Sequence, residues 1–264
     1  MTTATGSLRA ERVRMSFGGI VALDDAGVEV VPGQVVGLIG RNGSGKSTLF
    51  NCITGFLQPT AGRITLDGND IGGHAPHEIV RAGVARTFQT PRVDVRATVR
   101  EAVVSGLFAT ARQGFVAAML GLPASLAEEH ALQDRAADVI RQLHLDAWAD
   151  TEIGKLSMGT LRMVEVARAV AASARYLLLD EPAAGLSRSE QDVLAGEIRA
   201  LAGQGVGVLL VEHNFALIRK LCDTVTVLDS GRVLLTATPE VVERDEQVLH
   251  FYLGTAAAVP AEAV

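Results

Sequence analysis

Residues 35–48 read Val35-Val36-Gly37-Leu38-Ile39-Gly40-Arg41-Asn42-Gly43-Ser44-Gly45-Lys46-Ser47-Thr48. The run 35–39 is continuously apolar, as a strand buried on both faces requires. It feeds directly into Gly-x-x-x-x-Gly-Lys-Ser, and a helix is expected from about Lys46 to Gly55. The spacing has a physical reason. Glycines let the backbone curl and turn its N–H groups inward, and the helix N-terminus adds partial positive charge. That combination cradles phosphate. Lys46 can reach the outer phosphates of a nucleotide, and the Ser47 hydroxyl can ligate Mg²⁺.

A second stretch narrows the chemistry. Residues 176–181 read Tyr176-Leu177-Leu178-Leu179-Asp180-Glu181, an apolar strand ending in two carboxylates. Asp180 is expected near the phosphate loop, holding Mg²⁺ through water. Glu181 can polarise an attacking water as general base. The guanine-reading Asn-Lys-x-Asp pattern is absent, which argues against a GTPase.

Working outward, short apolar runs alternate with helical stretches, the pattern of an α/β fold. Strand segments are expected at 8–15, 27–31, 63–66, 206–211, 224–228 and 232–236, and Asp67-Gly68 marks a turn. Helix is expected at 98–109, 126–143, 160–173, 189–202, 214–221 and 239–252. Apolar residues at 161, 164, 166, 167 and 170 give the 160–173 segment its buried face. The organisation is then one core, 1–88 plus 174–254, interrupted by a helical subdomain at 89–173. A tail, 255–264, has little to pack and is expected to be mobile.

Between the two phosphate-site stretches lies Leu156-Ser157-Met158-Gly159-Thr160-Leu161-Arg162. It resembles the Leu-Ser-Gly-Gly-Gln signature of ATP-binding cassette (ABC) ATPases. Other landmarks of that family follow in order over about residues 8–254. Phe17 matches the aromatic that stacks on adenine, and Gln89 the glutamine that joins the two subdomains and reaches the metal. Ala184-Gly185-Leu186-Ser187 matches the loop after the carboxylates, and His213 the histidine that contacts the γ-phosphate.

The resemblance implies a P-loop NTPase core with an antiparallel β subdomain and an inserted α-helical subdomain. It implies ATP and Mg²⁺ as cofactors. Glu181, His213 and Gln89 would be catalytic, and Ser47, Gln89 and Asp180 would serve the metal. Phe17 and the run Gly40, Arg41, Asn42, Gly43, Ser44, Gly45, Lys46, Ser47 and Thr48 would bind ATP. Ser157, Gly159 and Thr160 would act on the nucleotide of a second ATPase subunit, copy or homologue, in a head-to-tail dimer. Two departures stand in the signature: Met158 where Gly is usual and Thr160 where Gln is usual. Ser187 stands where Asp or Asn is common.

Phe17-Gly18-Gly19-Ile20-Val21-Ala22-Leu23, the segment Gly83–Arg92, Val211-Glu212-His213-Asn214 and the ending Phe251-Tyr252-Leu253-Gly254 are similar to the branched-chain amino acid uptake branch of the family. That branch implies permease subunits and an external solute-binding protein as partners. It also implies a peripheral position on the cytoplasmic side of the membrane. Importers of amides, urea or another small solute, and a soluble non-transport ABC ATPase, remain open alternatives.

Composition is that of a folded, globular chain. The chain has 264 residues, 48% hydrophobic and 20% charged, with 24 Lys+Arg against 30 Asp+Glu. A net charge of −6 argues against a non-specific nucleic-acid binder. Cys52 and Cys222 have no metal or disulfide spacing and read as buried small hydrophobes. The N-terminus does not read as a secretory signal. No run is long enough to span a bilayer, so work at a membrane would be by docking. The apolar stretch 115–127 is expected to pack within the helical subdomain or to contact a permease or the partner ATPase.

Overall fold

A computed structural model describes residues 6–87, 93–107, 123–172 and 174–253. Gln89 and most of 115–127 lie outside these residues, as does the 255–264 tail.

Two sheets make the frame. The first is antiparallel, in the order β2-β1-β4-β5, from β1 (Leu8–Phe17), β2 (Ile20–Val30), β4 (Ala61–Leu66) and β5 (Asn69–Asp70). The second has six strands in the order β10-β9-β3-β8-β7-β6. These are β3 (Val35–Ile39), β6 (Val84–Arg86), β7 (Tyr176–Asp180), β8 (Gly207–Val211), β9 (Thr224–Asp229) and β10 (Arg232–Ala237). All neighbours in it are parallel except the edge pair β9–β10.

Side-chain alternation explains why the central strands are apolar throughout. On β7, Leu177 and Leu179 join a core shared with helices, while Tyr176 and Leu178 join a core shared with the antiparallel sheet. Val208 and Leu210 against Leu209 and Val211 repeat the pattern on β8. Helix α1 (Lys46–Ile53) places Leu49, Phe50, Cys52 and Ile53 in the core shared with the antiparallel sheet.

The helices on the other side are α3 (Val99–Leu107), α4 (Pro123–Gln142) and α5 (Met158–Ala171), which follow α2 (Pro76–Arg81). Val103, Leu107, Ala136, Ile140, Val164 and Ala167 form their common core. Helices α6 (Arg188–Gly203), α7 (Phe215–Leu221), α8 (Pro239–Val242) and α9 (Glu246–Leu253) complete the described chain.

The architecture is the one the sequence implied, with an antiparallel β part and a helical part on a P-loop core. Some local readings change. The strand expected at 27–31 begins at Ile20, because β1 and β2 form a hairpin whose register shifts carry the extra residues. The expected 239–252 helix is two helices separated by residues 243–245, with Asp245 Oδ1 accepting from Val248 N–H at 3.0 Å. Helix α2 and strand β6 were not expected at all.

Candidate functional site

The phosphate loop follows β3 and opens α1 as the sequence required. Gly45 is the N-cap, with φ 105°. A Cβ there would fall 2.7 Å from Leu23 Cδ2 and 2.8 Å from the Ala22 carbonyl, so only glycine fits. Gly40 is equally constrained, since a Cβ would run into the Leu228 carbonyl and Ser44 Oγ. Lys46 is buried, and its Nζ donates to the carbonyls of Gly40 at 2.7 Å and Arg41 at 3.0 Å. Burial lowers the Lys46 pKa, and the charges of Glu181 and Asp180 oppose that shift. Ser44 Oγ is buried and without a hydrogen-bond partner. A loop that curls round its own lysine and holds an unsatisfied hydroxyl fits phosphate oxygens. Arg41, Asn42, Gly43 and Ser47 are exposed, and Thr48 is half-buried.

The carboxylate strand is not the loop strand's neighbour, because β8 lies between β3 and β7. Asp180 ends β7 and is buried. Glu181 follows with φ 49°, a left-handed conformation that costs a non-glycine residue energy. Its N–H donates to the Val211 carbonyl at 2.9 Å, which ties it to the end of β8. His213 lies just beyond that same strand end, with Nε2 2.8 Å from Glu181 Oε1. The structure thus brings Lys46, Asp180, Glu181 and His213 to one end of the parallel sheet, where ligands of such sheets bind.

Glu212 was not singled out for a role of its own, yet it braces this end. Its Oε1 accepts from Ala183 N–H at 2.9 Å and its Oε2 from His213 N–H at 3.2 Å. Burial pushes its carboxyl above the ordinary range, against those backbone donors. The signal available in sequence was a lone acid after an apolar strand, which ordinarily reads as a solvated cap.

Hard oxygen donors are what Mg²⁺ takes. Asp180 and the Ser47 hydroxyl are of that type, and among the described residues no group of three His, Cys, Asp or Glu side chains forms a metal cage. This donor set fits a cation that arrives with a nucleotide's own phosphate oxygens.

Phe17 ends β1 and is 46% exposed, leaving its ring free for stacking. Ser157 is the N-cap of α5, and its Oγ accepts from Thr160 N–H at 3.1 Å. Thr160 Oγ1 lies 3.0 Å from Ser157 Oγ, so the threonine supports the cap. Met158 has the room it needs, being 51% exposed. A Cβ on Gly159 would run into the Glu190 carboxylate. Ser187 caps α6 and forms a capping box with Glu190, so serine performs the local job at that position. Gln89, expected to join these groups, lies outside the described residues.

A family model described as ABC transporter matches residues 23–184. The chain belongs to the ABC transporter family. This ABC ATPase is 38% identical over 250 residues to the high-affinity branched-chain amino acid transport ATP-binding protein BraF of Pseudomonas aeruginosa, covering 94% of this chain and 98% of that one. It is 34% identical to LivG of Escherichia coli, a protein of the same description, with the same coverage. It is also 35% identical to the lipopolysaccharide export ATP-binding protein LptB of Acidithiobacillus ferridurans, over 94% and 96% of the two chains. Among solved structures, a nucleotide-free ATP-binding cassette superposes with a TM-score of 0.83 at 29% identity, covering 94% and 99%. An ADP conformation of a cassette does so with a TM-score of 0.83 at 30% identity, with the same coverage. The ABC ATPase binds ATP, and its hydrolysis is coupled to transport. It is a subunit of a transport system, and no helix among its described residues is long and apolar enough to cross a membrane.

Proposed function

We propose that this ABC ATPase energises an importer of branched-chain or other hydrophobic amino acids. The 2.8 Å approach of His213 to Glu181 carries the hydrolytic part of the reading. A carboxylate fixed against an imidazole, beside a buried lysine, can take a proton from water while His213 steadies the γ-phosphate. Lys46 and the loop from Gly40 to Thr48 hold the phosphates, Phe17 stacks on adenine, and Ser47, Asp180 and Gln89 hold Mg²⁺. The transported class rests on the similarity to BraF and LivG, which serve branched-chain amino acid transport.

In this reading residues 1–88 and 174–254 bind nucleotide, and 89–173 form the signature subdomain. Ser157, Gly159 and Thr160 face the nucleotide of a second ATPase subunit, and ATP between the two surfaces closes the pair. The pair sits on permease subunits at the cytoplasmic side of the membrane, served by an external binding protein. Copurification of the tagged chain from mildly solubilised native membranes tests this. Two polytopic permeases, a second short ATPase and an amino-acid-binding protein are expected. Recovery with lipopolysaccharide-export components, or with soluble partners alone from membranes that keep their other transporters, overturns it.

A further inference from the structure

Strand β6 ends at Arg86, three residues before Gln89, and its side chain turns into the site. Nη2 donates to Asp180 Oδ2 at 2.8 Å, and Nη1 donates to Asn51 Oδ1 on α1 at 2.6 Å. The guanidinium lies 5.4 Å from the centre of the Phe50 ring, also on α1. Both members of the ion pair are nearly buried, at 9% and 5% side-chain exposure. Thr87 adds a second hold: its N–H donates to the Leu178 carbonyl at 2.9 Å, and its Oγ1 accepts from Asp180 N–H at 3.4 Å. One cation therefore ties the helix of the phosphate loop, the strand before Gln89 and the carboxylate that ends β7.

We propose that Arg86 is a positioning residue that fixes the Asp180 carboxylate and compensates its charge while no nucleotide is bound. The inference rests on the reading of Asp180 as the residue that serves the nucleotide's Mg²⁺. Without Arg86 the buried Asp180 carboxylate loses the guanidinium that sits 2.8 Å away, and a divalent cation can take that place. With Oδ2 engaged by Arg86, a bare cation finds a weak site. A cation already carried by phosphates, beside the Ser47 hydroxyl, needs only the remaining Asp180 oxygen and tolerates the arginine behind it. Arg86 thus makes the site wait for the metal–nucleotide complex. Arginine suits the task because its planar fork reaches Asn51 and Asp180 together, which a lysine cannot do.

The test is Mn²⁺ binding to the nucleotide-free protein, read by electron paramagnetic resonance, in the wild type, Arg86→Gln and Arg86→Gln/Asp180→Asn. The first substitution is expected to tighten Mn²⁺ binding at least tenfold, and the second to abolish the gain. Equal Mn²⁺ affinity in folded Arg86→Gln and wild type overturns the proposal, as does a gain that survives Asp180→Asn. Asp180→Asn alone, titrated with Mn²⁺ and a non-hydrolysable ATP analogue, checks the underlying reading separately. Unchanged affinity there removes Asp180 from the metal site, whatever Arg86 does. If Arg86→Gln does not fold, Arg86→Lys carries the test. Its retained charge is expected to keep nucleotide-free Mn²⁺ affinity at the wild-type level, while kcat falls severalfold because Asn51 and Asp180 are no longer held together. Raised Mn²⁺ affinity or an unchanged kcat in that variant overturns the proposal.

Discussion

His213 Nε2 and Glu181 Oε1 stand 2.8 Å apart although 32 residues separate them in the chain. Sheet register makes the approach possible. Asp180 on β7 pairs with Val211 on β8, so the residues just beyond the two strand ends meet above the sheet. Glu181→Gln keeps the shape and removes the proposed base. Steady-state ATP hydrolysis is expected to fall by roughly 10²–10⁴-fold with nucleotide affinity retained. A rate within threefold of wild type would take Glu181 out of the mechanism.

Ser157 caps α5 and, in the proposed function, also faces the partner subunit's nucleotide; one substitution separates the two roles. As N-cap of α5 it accepts from Thr160 N–H, and its loss in Ser157→Ala is expected to cost about 1 kcal/mol of stability. Asn at the same position restores a cap but not the hydroxyl. Ser157→Asn is therefore expected to melt near the wild-type temperature yet hydrolyse ATP poorly. Wild-type turnover in that variant would assign Ser157 to the cap alone.

Both cysteines are free and buried. Burial pushes the Cys52 thiol up to about 11 and the Cys222 thiol up to about 12, from an ordinary value of 9.0. Raising pH from 7 to 9 is expected to speed disulfide-reagent labelling of the urea-unfolded chain but to leave the native protein nearly unlabelled, because thiolate forms only in the former. Fast native labelling at pH 8 would contradict the packing of Cys52 on α1 and Cys222 after α7.

Glu212 gives a pH signature of opposite sign to an ordinary surface carboxylate. Burial raises its folded-state pKa above the unfolded value near 4.5, so the native protein binds the extra proton. Its contribution to stability is full below that value and is lost as pH rises through the raised folded value. Urea melts of wild type and Glu212→Gln between pH 4 and 8 should show the wild type's relative stability declining with pH. A relative stability that grows with pH would reverse the assignment.

The phosphate loop and the β7 carboxylates are legible from sequence because each is a local event, whereas His213 was reached only through the family resemblance. An apolar run feeding Gly-x-x-x-x-Gly-Lys-Ser reads as a buried strand entering a phosphate loop, and carboxylates ending a second apolar run read as its companion at the same end of the sheet. Strand β6 was illegible, since three residues carry no periodicity and become a strand only by pairing with β7. Helix α2 is six residues long and was lost for the same reason. The early part of β2 was hidden by Asp24 and Asp25 and by a register that shifts along the hairpin. The sequence by itself determined that this chain binds and splits a nucleotide on a parallel sheet. Only the tertiary structure decided which distant groups meet there: Arg86 with Asp180, Glu212 with Ala183, and Glu190 with Gly159. Such contacts arise from strand order and helix placement, which depend on the whole core at once and leave no spacing in the chain to read.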